Sequence, residues 1–125
     1  MEKKLELEAL AGEFSVCRLA EGTAAEVGAP FTFLSYTDEE LSLVCPAGKV
    51  PAACTHREDG WRGFRIRGVL DFGLTGILAG IATVLAAEKI GIFAVSTYNT
   101  DYIFVKDSSF SAARSALIRA GYAFV

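Results

Sequence analysis

The sequence is poor in the residues that build catalytic and metal sites. Its 125 residues include one histidine, one tryptophan, one methionine and three cysteines. The histidine, His56, opens a polar stretch to Gly60 that reads as a turn at Asp59-Gly60. No nucleophile elbow, phosphate-binding loop or histidine/carboxylate pattern surrounds it, and the paired acids Glu39 and Glu40 read as a solvated hairpin tip. The expectation is a protein without catalytic residues, not an enzyme. Cys17, Cys45 and Cys54 are odd in number and fit neither a disulfide framework nor a CxxC pair, so they read as buried free thiols. Cys54-Thr55-His56 offers two metal ligands and no further ones stand out, so neither a metal nor a cofactor is expected.

Long apolar runs and basic runs are missing too. The longest weakly charged stretch, Phe72 to Ala87, is broken by glycines and threonines and falls short of the ~20 apolar residues that cross a bilayer. The start, Met1-Glu2-Lys3-Lys4-Leu5-Glu6, has no apolar signal core, which points to the cytoplasm. With a net charge of -3 and no Lys/Arg cluster, neither a nucleic acid nor a membrane is expected as a partner. Proline is scarce as well, with 3 against 12 glycines, and 52% of the residues are hydrophobic, which excludes a disordered chain.

The charge that is present is unevenly placed. Residues 1 to 60 carry 11 acids and 5 bases, and residues 61 to 125 carry 4 acids and 7 bases, so the halves are -6 and +3. This asymmetry suggests two subdomains, 1–60 and 61–125.

Hydrophobic periodicity supplies the elements. Lys3 to Leu10 and Phe14 to Leu19 alternate as strands, and Phe31 to Thr37 and Leu41 to Val44 form a hairpin with a polar tip. Ala47 to Thr55 reads as a short helix with Pro51 in its first turn. Gly63 to Leu70 is a strand. Ile77, Leu78, Ile81, Val84 and Leu85 then form one stripe of a helix. The strand Ile92 to Thr97 carries no charge on either side, the mark of a strand covered on both faces. A further strand to Val105 leads to a helix from about Ser109 to Ala120, capped by Asp107 or Ser108 and closed by Gly121, and Tyr122 to Val125 is a last strand. The order from Gly63 onward is βαββαβ, which is ferredoxin-like, with an expected sheet order of 4-1-3-2 and both helices on one face.

Two polar interruptions stand out in this half. Gly73, Gly76 and Gly80 lie at a strand-to-helix junction, where glycine lets the backbone approach a ligand and helix N–H groups face an anion; they serve turn and helix packing equally well. Ser96-Thr97-Tyr98-Asn99-Thr100-Asp101 is either a hairpin that caps its own backbone, with Asn99 in a left-handed turn position, or a polar edge for an amino acid's charged groups.

Residues 73 to 79, Gly-Leu-Thr-Gly-Ile-Leu-Ala, and 91 to 105, Gly-Ile-Phe-Ala-Val-Ser-Thr-Tyr-Asn-Thr-Asp-Tyr-Ile-Phe-Val, resemble ACT domains. They are most similar to small bacterial proteins with two ACT domains, and to the regulatory regions of aspartate kinases and CASTOR-type arginine sensors. The resemblance implies an α+β fold of two ferredoxin-like ACT subdomains, with residues 1–60 as the degenerate one. It implies a small amino acid bound between ACT subdomains. Carried over by position, the ligand-binding residues are Gly73, Leu74, Thr75, Gly76, Ile77 and Leu78 in the loop, and Ile92, Phe93, Ser96 and Thr97 on the strand. Asp101 would contact a cationic group. A non-catalytic, homodimeric regulator follows, either free-standing or acting on a separate protein partner. The alternative is a structural dimerisation or partner-interaction domain whose ligand sites are vestigial.

Overall fold

The computed structural model describes residues 5–23, 28–68 and 75–125. The strands are β1 (Glu6–Ala9), β2 (Phe14–Leu19), β3 (Phe33–Tyr36), β4 (Leu41–Pro46), β5 (Cys54–Ile66), β6 (Ile92–Ser96), β7 (Asp101–Lys106) and β8 (Ala123–Phe124). The helices are α1 (Ile77–Ala87) and α2 (Asp107–Arg119), and a 3-10 turn spans Ala47–Lys49. The class is α+β, as expected. Two units divide the chain: Gly12–Trp61, and Met1–Ala11 together with Arg62–Val125. No described helix is long and apolar enough to cross a membrane.

The Gly12–Trp61 unit consists of antiparallel strands in the order β3-β4-β2-β5. Its core joins Cys17, Leu19, Leu41, Leu43 and Cys45. The β3–β4 turn is fastened by Thr37, whose hydroxyl accepts from the Glu39 and Glu40 amides. Two expectations fail here. The helix over Ala47 to Thr55 is only the 3-10 turn at Ala47–Lys49, because Pro51 follows and removes the amide that another turn would need. Asp59-Gly60 is not a turn either, since β5 runs straight through it. Phe14 pairs with Trp61 but Val16 pairs with Glu58, so the dipeptide fills a β-bulge in which Gly60 takes φ +82°. The Ser15 hydroxyl, fully buried, donates to Asp59 Oδ1 at 2.5 Å across this bulge.

The other unit runs β5-α1-β6-β7-α2-β8 in βαββαβ order. Its sheet order is β8-β1-β5-β7-β6, which corrects the expected 4-1-3-2 by one strand. The addition is β1, which lies antiparallel to β5, with Leu7 opposite Ile66, and parallel to β8, with Leu7 opposite Phe124. Leu7 is fully buried there, and the alternation of leucine with glutamate in β1 is the physical reason it can be an inner strand.

Both helices cover one face of this sheet. Ile81 and Leu85 of α1 and Ala113, Ala116 and Leu117 of α2 are buried, and Ile81, Leu85, Ala113 and Leu117 join Leu7, Phe64, Ile66, Ile103 and Val105 in one core. The predicted stripe of α1 is complete, with Ile77, Leu78 and Val84 packed at its margin. α1 ends with the Ile90 amide bonded to the Leu85 carbonyl and the Lys89 amide to that of Ala86, and Lys89 itself takes the left-handed conformation. Gly121 does the same after α2, as expected. α2 begins at Asp107, which is its first residue and not its cap; no side chain caps it, and the carboxylate at its positive end pairs with Arg62.

Candidate functional site

Ile92 and Phe93 pair with Val105 and Phe104 at the start of β6, whereas Ser96, Thr97 and Asp101 lie at its other end, by the β6–β7 turn of the helical unit. Ile66 closes β5 at this end, and the Thr100 hydroxyl, in the turn before β7, donates to the Ile66 carbonyl at 2.8 Å. That bond fixes the β6–β7 turn beside the end of β5. Gly73 and Leu74 lie outside the described residues.

Gly76 precedes α1 with φ +77° and ψ 2°, a conformation that favours glycine. Among the described residues no heavy atom lies within 4 Å of where a Cβ would stand, and no side chain caps the helix start. Thr75 beside it is exposed. Gly80 differs. A Cβ there would stand 3.0 Å from the Tyr122 hydroxyl, so this glycine serves packing between α1 and the end of the chain. Ile77, Leu78 and Ile92 are half-buried and pack against the core.

The strand residues separate by face. Phe93 stacks on Phe104 with centroids 4.8 Å apart and planes at 10°, away from the helices. Ser96 pairs with Asp101 in register, and its hydroxyl donates to the Asp101 carboxylate at 2.6 Å. Thr97 closes the hairpin: its amide reaches the Thr100 carbonyl at 2.9 Å and its hydroxyl at 3.1 Å. Asn99 is not left-handed. The two threonines make that conformation unnecessary. The strand is also less covered than its composition suggests, because β6 pairs with β7 alone among the described strands and leaves Ala94 and Ser96 exposed at a sheet edge.

A second feature of this end has no counterpart in the residues singled out from the sequence. Glu8, Arg65, Arg67, Gly68, Asn99, Thr100 and Tyr102 line a cleft of about 210 Å³ with Ile66. Arg65 Nε and Nη2 both reach Glu8 Oε1 at 2.9 Å, and Nη1 faces the Tyr102 hydroxyl at 3.4 Å. The Tyr102 and Glu8 contacts raise the Arg65 pKa further. The alternation of Arg65 and Arg67 against Phe64 and Ile66 is readable in sequence, but Glu8 joins them only through the β1–β5 pairing.

The cysteines sit apart, in the other unit. Cys17 and Cys45 are buried and Cys54 is half-buried, all three free. Burial pushes the Cys17 thiol up to about 12, with Cys45 and Cys54 adding to the effect. Burial likewise raises Cys45. His56 is exposed on β5, beside the Thr55 hydroxyl. Among the described residues no three His, Cys, Asp or Glu side chains converge as metal ligands.

The family model for the ACT domain matches residues 56–119, half of the sequence. The chain belongs to the ACT-domain family. The match begins within β5 and ends with α2, so the inserted strand β1 falls outside it. No protein of curated function matches the sequence. Among solved structures, a protein from Agrobacterium tumefaciens is 29% identical over 99% of this chain and 94% of its own, with a TM-score of 0.87. An aspartate kinase from Clostridium acetobutylicum is similar at 16% identity, over 91% of this chain and 33% of its own, with a TM-score of 0.65. The regulatory subunit of aspartate kinase from Thermus thermophilus, in a ligand-free form, is similar at 12% identity over 95% of both chains, with a TM-score of 0.57. The likeness to the two kinases is one of fold.

Proposed function

We propose that this ACT-family protein is a non-catalytic, cytoplasmic regulatory module that binds a small free amino acid at the start of α1. The observation that carries the reading is Gly76: left-handed, open on its outer side among the described residues, and placed before a helix start that no side chain caps. A carboxylate suits such a helix start, where backbone N–H groups and the helix dipole favour negative charge. The amino acid's ammonium group would be met by polar groups of the β6–β7 turn, among them Asp101 once Ser96 releases it. Gly73, Leu74, Thr75, Gly76, Ile77 and Leu78 contribute mainly backbone, and Ile92, Phe93, Ser96 and Thr97 the neighbouring strand. Binding acts through self-association as a homodimer or through a separate protein partner.

Isothermal titration calorimetry of the full chain against the twenty amino acids tests this. At least one ligand is expected, and Thr75→Trp, an exposed change that fills the approach to Gly76, is expected to weaken it at least tenfold. Silence across the panel overturns the reading. The exposed, uncharged edge of β6 favours a second one, a dimerisation domain with vestigial ligand sites. In that case gel filtration finds a self-associated species that no amino acid alters.

A further inference from the structure

Beyond the α1 site, we propose that the cleft between β1, the end of β5 and the β6–β7 turn is a separate site for a small carboxylate. Its lining brings Arg65, Arg67 and Glu8 together, a local charge of one positive unit on a chain whose net charge is -3. Glu8 is already engaged, since one of its oxygens holds both Arg65 Nε and Nη2. Arg65 is thereby fixed as a cation at the floor of the cleft, with Tyr102 on its other side. Arg67 stands two residues along and is exposed, and no carboxylate among the described residues pairs with it. Its planar fork is the group that recognises two coplanar oxygens.

The remaining lining suits the same ligand. Asn99 offers an amide, and Gly68 takes φ +89° with no heavy atom of the described residues within 4 Å of where a Cβ would stand. The Thr100 hydroxyl is committed to the Ile66 carbonyl and so holds the wall in place. A volume of about 210 Å³ matches a molecule of a few heavy atoms. The charge also selects: a single carboxylate is neutralised by the one unit of positive charge, whereas a doubly charged phosphate would leave a negative charge beside Glu8. This site borders the same β6–β7 turn as the amino-acid site proposed at Gly76 but rests on Arg67 and not on the start of α1, so either can stand without the other.

Titration of the ¹⁵N-labelled full chain with sodium acetate and with glycine, at constant ionic strength, is the test, with inorganic phosphate as the comparison. The carboxylates are expected to give saturable shifts of the Gly68, Asn99 and Thr100 amides. Arg67→Gln, a surface change, is expected to weaken them at least fivefold with the rest of the spectrum unchanged, while Thr75→Trp leaves them as they are. Shifts that do not saturate, shifts of equal strength in Arg67→Gln, or saturation by phosphate and not by the carboxylates would each overturn the assignment.

Discussion

Gly63 lies against the ring of Phe104 so closely that a Cβ on it would stand 2.7 Å from Cε1 and 3.0 Å from Cδ1. Phe104 has no room to yield, being fully buried and stacked on Phe93, and Leu10 closes in at 3.2 Å. Gly63→Ala is therefore expected to destabilise the protein by ~1–3 kcal/mol, the usual range for overpacking a filled core. Urea unfolding measures it as a lower midpoint at unchanged slope. A midpoint equal to the wild type would mean that the ring moves aside.

Thr100→Val tests the joint between β5 and the β6–β7 turn. The substitution keeps the branched shape but removes the hydroxyl that donates to Ile66, leaving a buried carbonyl short of a partner. A loss of ~1–3 kcal/mol is expected. Thr97→Val should cost less, because the Thr97 amide still bonds to the Thr100 carbonyl.

A core residue in the last turn of α1 supplies a third measurement. Leu85 is fully buried among Ile81, Phe64 and Val105 in the core, so Leu85→Ala should cost ~2–5 kcal/mol through lost burial and the cavity left behind. Exposed Glu88, one turn on, pairs with exposed Arg119, and Glu88→Ala should change stability by less than ~1 kcal/mol.

The thiols predict a pH dependence. Burial first, and Cys45 next, hold the Cys17 pKa at about 12 against an ordinary value of 9.0. Between those values the unfolded chain has lost a proton that the folded chain keeps, so stability is constant below about 9 and falls as the pH rises above it. Urea midpoints should decline between about pH 9 and 10.5, and the decline should be shallower in Cys17→Ala, with Cys45 contributing to what remains. An equal slope in the variant would refute the assignment to Cys17. At pH 8 a thiol reagent should modify half-buried Cys54 ahead of the other two.

What was legible in the sequence was what is local. The stripe from Ile77 to Leu85 and the glycine after α2 announce themselves within a few turns of chain, and both are found. The misreadings come from signals with two physical outcomes. Asp59-Gly60 is as good a bulge as a turn, and only the pairing with Phe14 and Val16 selects the bulge. Lys89 ends α1 in a conformation normally marked by glycine, because the bonds to Leu85 and Ala86 hold it there. At the site, the αL residue before α1 was readable from Gly76. The half-burial of Ile77, Leu78 and Ile92 against the core, and the meeting of Glu8 with Arg65, depend on tertiary packing that no short window of sequence contains.

The placement of β1 also bears on how the protein is made. Leu7 leaves the ribosome well before its neighbours on either side, Ile66 and Phe124. The helical unit cannot close its sheet until Phe124 has been synthesised, and this long-range pairing favours slow folding. The Gly12–Trp61 unit, whose strands all emerge earlier, has no such wait. During translation an alternating Leu-Glu strand must stay unpaired, and the charges at Glu6 and Glu8 that border Leu7 keep that exposed segment from adding to the edge of another chain.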